Sequence, residues 1–76
     1  MKINKQTQEA TDIVCDKKVV GTLSFTAYET GNLELYVTIN GPQDFHNSEE
    51  AKNDMNDLIE AALQASKDKL STYVAP

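Results

Sequence analysis

Cys15 is the chain's one thiol and His46 its one imidazole. Together they are the smallest set from which a nucleophile and its general base can be made. Such a pair needs hydrogen-bond contact, a third group to orient the base, and a site for the developing oxyanion. Cys15 closes one apolar segment and His46 lies in a loop beyond two more, so the spacing supplies none of these. The expected roles are plainer: a small half-buried thiol and a solvent-facing loop histidine. A minimal enzyme using Cys15/His46 is the alternative that a contact between thiol and ring would reopen. One Cys and one His also fall short of a zinc site, which normally draws a full tetrahedral set from such ligands. No EF-hand loop, Gly-x-Gly-x-x-Gly or Gly-Lys-Ser/Thr pattern occurs. No enzyme activity, cofactor or metal is expected.

The carboxylates are more numerous and lie close together. From Asp44 to Glu60 there are six acids against the single Lys52, a net of −5, while the rest of the chain balances six acids with six lysines. A paired-carboxylate hydrolase needs its acids to converge on a cleft from separate elements. Glu50, Asp54, Asp57 and Glu60 instead share one helical ridge. There they favour the positive end of the macrodipole, with Lys67 and Lys69 at the other end. As a surface, the ridge suits a basic partner. All seven cationic residues are lysine. With no arginine for bidentate readout and a pI near 4.6, direct nucleic-acid binding is not expected. Binding to an anionic membrane is disfavoured by the same repulsion.

These residues must be positioned by a few elements. Leu33, Leu35, Val37 and Ile39 alternate strictly with polar neighbours, the mark of a half-buried strand. Before it, Val19 to Tyr28 places Val19, Gly21, Leu23, Phe25 and Ala27 on one face and Val20, Thr22, Ser24, Thr26 and Tyr28 on the other. Glu29-Thr30-Gly31 fits a hairpin loop ending in a left-handed glycine. That loop pairs Ala27 with Leu33, Phe25 with Leu35, Leu23 with Val37 and Gly21 with Ile39, and a one-residue slip would scramble both faces. Residues 9–15 form a weaker first strand, at an edge or irregular, joined through the charged turn Asp16-Lys17-Lys18. Residues 1–8, anchored by Ile3 alone, are frayed or a weak edge strand.

Gly41-Pro42 ends the third strand. A connecting loop, 43–47, carries Phe45 as its apolar peg. Asn47 or Ser48 caps a helix over 48–72, and with Asn47 as cap Glu50 can reach back in a capping box. Met55, Leu58, Ile59, Ala62, Leu63, Leu70 and Val74 share one face of that helix. At about 36 Å it matches a ten-residue strand of about 33 Å.

Seventy-six residues make one small α+β domain: an antiparallel two- or three-stranded meander with one long C-terminal helix packed on one face, ββ(β)α. The expected core sets Leu23, Phe25, Leu33, Leu35, Val37 and Ile39 against Met55, Leu58, Ile59, Ala62, Leu63 and Leu70. Leu35→Ala would then cost about 2–4 kcal/mol. The uncovered Thr/Tyr-rich face, with Tyr28 and Tyr36, is a second contact surface, since tyrosine is enriched in hot spots. Mean hydropathy of −0.49, short apolar runs and no signal-like N-terminus lead to a cytoplasmic expectation.

The function expected is a small non-catalytic accessory or regulatory module that binds another protein, a form common among phage and prophage accessory proteins. Its candidate contacts are Glu50, Asp54, Asp57, Glu60, Tyr28 and Tyr36. An acidic inhibitor that mimics nucleic acid at a basic groove is the alternative. The chain is expected as a monomer or a homodimer, the latter through Val20, Tyr28 and Tyr36 or through strand addition at a sheet edge.

Overall fold

The computed structural model describes residues 6–73; Ile3 and Val74, named above, lie outside them. Three strands, β1 (Thr7–Cys15), β2 (Lys18–Ala27) and β3 (Leu33–Ile39), form one antiparallel sheet in the order β1-β2-β3. A short helix α1 (Pro42–His46) and a long helix α2 (Glu49–Thr72) follow. This is the α+β ββ(β)α meander, with three strands.

The turns form for local reasons. Asp16 and Lys17 have φ of 50° and 67°, so the β1–β2 connection has two left-handed residues in succession, the geometry that matches strand twist in a tight hairpin. At the second hairpin Gly31 has φ 94°. Its N–H donates to Tyr28 O at 2.9 Å, and Tyr28 N–H donates to Asn32 O at 2.8 Å. The β2–β3 register follows residue by residue as the alternation requires, Ala27 opposite Leu33 through Gly21 opposite Ile39. The expected loop 43–47 is instead α1, with Pro42 in its first turn and Phe45 buried; proline's fixed φ and missing donor suit that position. Ser48, not Asn47, caps α2: its Oγ accepts from Ala51 N–H at 3.0 Å. Ala51 therefore holds the third helical position, and Glu50 closes no capping box.

The core differs from the expected one in a systematic way. Its buried residues are Ile13, Val20, Leu23, Phe25, Ala27, Phe45, Ala51, Met55 and Ala62. Phe45 and Met55 settle over Gly21, where a Cβ would come within 3.8 Å and 3.6 Å of them. α2 crosses the sheet on a diagonal. Leu58 lies beside Thr11 and Ile13 of β1, and farther along Ser66 Oγ donates to Gly31 O at 2.5 Å. Leu35, Val37, Ile39, Leu63 and Leu70, all expected inside, are exposed. A helix about 10–12 Å across covers roughly two strands spaced about 4.8 Å apart, so one helix on three strands leaves one strand largely bare.

A bulge accounts for the other correction. Ile13 faces Gly21 but Val14 faces Val19, so the register shifts by one and β2 carries an extra residue. The shift turns Val20 inward to 1% exposure and leaves Val19 outside at 45%, the reverse of strict alternation. Val20 O then accepts N–H groups from both Asn40 and Gly41, which draws the end of β3 and the start of α1 against the bulge.

Candidate functional site

Cys15 pairs with Lys18 beside the first hairpin and is half-buried against the core. His46 ends α1 in solvent, its ring edge-on to Phe45 with centroids 5.2 Å apart. Lys18 Nζ lies 3.8 Å from Asp44 Oδ2, which brings α1 to the β1–β2 turn, so the thiol and the imidazole share one end of the molecule. The side-chain hydrogen bonds of the described residues involve neither group. Among those residues no three of His, Cys, Asp and Glu gather closely enough to hold a metal ion, and no helix is long and apolar enough to cross a membrane.

Glu50, Asp54, Asp57 and Glu60 are all exposed on α2. Asp54 and Asp57 line a shallow hollow with Thr11, Asp12, Ile13 and Leu58. Asp54 and Asp57 therefore border the β1 side of α2, while Asp57 and Glu60 also line a second shallow hollow with Leu63, Gln64 and Lys67. Lys52 reaches Glu49 at 3.2 Å, an exposed pair of the kind that contributes about 0.3–0.5 kcal/mol.

On the uncovered face, polar side chains largely cover one another. Thr22 Oγ1 donates to Asp12 Oδ1 at 3.1 Å across β1 and β2. The Tyr28 hydroxyl donates to Glu34 Oε1 across β2 and β3. That bond to a carboxylate, with some loss of solvent and the Glu34 charge, pushes the Tyr28 phenol up from its ordinary value. Thr26 is 9% exposed beneath these neighbours, whereas Tyr36 stands out at 63%. Of the two tyrosines proposed as contacts, Tyr36 is free to meet a partner and Tyr28 is engaged within the sheet.

The third surface is apolar and lies on the other flank of α2. Leu35, Val37 and Ile39 of β3 are 38%, 45% and 38% exposed, and Leu63 and Leu70 of the helix 56% and 61%. Leu70 approaches the β2–β3 hairpin, since a Cβ on Gly31 would meet its Cβ at 2.8 Å. Ile59 and Leu63 precede Leu70 by eleven and seven residues, which near 3.6 per turn keeps them on the same stripe. Large apolar side chains are thus exposed on both β3 and the helix.

No family model, curated protein or solved structure matches this chain.

The functional reading rests on surface chemistry alone. The apolar flank was missed by alternation because period 2 reports which face a side chain takes and not whether anything covers that face. The usable signal was width: three strands and one amphipathic helix do not match, and the excess has to emerge at an edge.

Proposed function

We propose that the chain is a non-catalytic protein-binding module whose contact surface is the apolar flank formed by β3 and the adjoining stripe of α2. The observation that carries this reading is the exposed row Leu35, Val37 and Ile39 on β3, together with exposed Leu63 and Leu70 on the helix. Scattered exposed hydrophobes are ordinary, but contiguous apolar side chains on a small soluble chain point to an interface. These side chains are already partly buried, so covering the remainder yields only about 1 kcal/mol apiece, and several must be covered together to meet the association entropy.

The acidic flank around Asp12, Asp54 and Asp57 favours a second reading, a basic partner, and the two separate experimentally. The immobilised chain is exposed to an extract of the cells that make it, beside Val37→Lys/Leu63→Lys and Asp54→Asn/Asp57→Asn variants. The apolar reading expects binding that persists in salt and is lost in the first variant only. Binding that the first variant retains, or that fades with salt and with the second variant, would overturn it.

A further inference from the structure

We propose that the occupant of the apolar flank is a second copy of this chain, paired β3 to β3 across a two-fold axis at Tyr36. The proposal rests on the reading of that flank as a contact surface and adds the partner, the register and the backbone bonds.

Three observations carry it. The first is hydrogen-bond phase. Tyr28 N–H bonds Asn32 O and Asn40 N–H bonds Val20 O, which fixes the even-numbered residues of β3 as those facing β2. In an antiparallel ladder the intervening residues point their N–H and C=O groups the other way. Leu33, Leu35, Val37 and Ile39 therefore present both an apolar side chain on the helix side and, among the described residues, an unpaired donor and acceptor at the outer edge. Sheet order leaves β3 outermost.

The second is register. A two-fold at Tyr36 sets Leu33 against Ile39 and Leu35 against Val37 of the second copy, and uses every outward residue of the seven-residue strand. It gives about eight N–H···O bonds, two for each hydrogen-bonded pair. The apolar rows of the two strands then lie side by side on the helix face of the joined sheet. Glu34, the one charged residue of β3, falls opposite uncharged Thr38 of the second copy, so no like charges meet. Asp54 and Asp57, on the β1 flank, are turned away from the axis.

The third is the contrast between the sheet's two edges. β1 carries charge on both faces, which discourages pairing: Glu9 on its helix-side face opposite Phe25 and Asp12 on the other opposite Thr22. β3 has an unbroken register and no proline or lysine. Long, regular, apolar edges of that kind are templates for another strand.

Sedimentation equilibrium of the full chain is run from about 1 μM to about 1 mM, the span of moderate affinities. A mass rising from 8.4 kDa to twice that is expected. Val37→Pro removes an outward N–H that β2 does not use, a position where an edge strand accepts proline, and should weaken the dimer at least about tenfold. Register is read independently in a Cys15→Ser background. Under mild oxidation Tyr36→Cys should link to itself, because residues on the axis form a close pair with Cα atoms about 4.5 Å apart. Glu34→Cys and Thr38→Cys should link to each other in a mixture and neither to itself. These exposed sites keep the register test available if Val37→Pro fails to fold, as circular dichroism would reveal. A chain that stays monomeric throughout overturns the second copy, and the extract experiment then judges the apolar flank on its own. A dimer that is indifferent to Val37→Pro, or linked at another register, overturns the β3 pairing.

Discussion

At the residue scale, burial and alternation part company, and the difference is measurable. Leu23 is 1% exposed at the centre of the sheet, whereas Leu35, one strand away on the same face, is 38% exposed. Leu23→Ala should therefore cost about 2–5 kcal/mol, and Leu35→Ala about 1 kcal/mol or less in the monomer. Urea unfolding of both variants at low concentration checks this; equal losses would put Leu35 back in the core. Alternation placed both residues on the right face. It could not say that the helix would reach only one of them, because coverage is a property of two elements together.

The Tyr28–Glu34 bond gives a pH signature at the same scale. Tyr28 must be protonated to donate, and the fold holds its phenol above the ordinary value. The stability this contributes is complete below the unfolded-state value near 10 and is lost as pH rises through the folded one. Ultraviolet titration of tyrosinate should show Tyr28 ionising late, and Glu34→Gln should return it toward its neighbours. A titration unaffected by that change would mean the bond does not form in solution.

At the element scale, the two hairpins and the helix were legible because each has a local cause. Gly31 is needed for a φ of 94°, Ser48 supplies a side-chain acceptor to the first turn of α2, and the apolar stripe has helical period. Removing the cap by Ser48→Ala should cost about 1 kcal/mol, seen as a lower melting temperature by circular dichroism. An unchanged melt would place the start of the helix elsewhere. What was not legible has non-local causes. The bulge that reverses Val19 and Val20 depends on Asn40 and Gly41 bonding to Val20 O, some twenty residues away in sequence. The short helix α1 depends on Phe45 finding the open space over Gly21, and a five-residue segment has too few turns to announce itself by period.

At the scale of the whole molecule, the chain is long and thin, 48 × 20 × 14 Å with a Cα radius of gyration of 14.8 Å. A compact chain of this length would have about 11 Å. Two layers and one long diagonal helix explain the excess, since among the described residues no second long helix thickens the slab or shelters β3. Sideways pairing through β3 adds width, not length. With centres about three strand spacings apart, near 14 Å, the radius of gyration should rise only to about 16–17 Å. X-ray scattering across a concentration series would distinguish that from end-to-end association, which lengthens the particle much more.

The inequality of the two sheet edges also bears on how far growth can go. A subunit with two receptive edges is a monomer in the polymer chemist's sense: each addition leaves a new end, and the product is a ribbon without limit. A subunit with one receptive edge is consumed in a single coupling, and both outer ends of the product are dead. Under the β3 pairing proposed above, the carboxylates of Glu9 and Asp12 on β1 would make this chain the second kind, as chain terminators for a sheet that would otherwise propagate. Glu9→Val should convert termination into growth, with light scattering that rises over time at concentrations where the parent stays clear. If the variant instead remains a small, finite species, Glu9 is not what ends the chain.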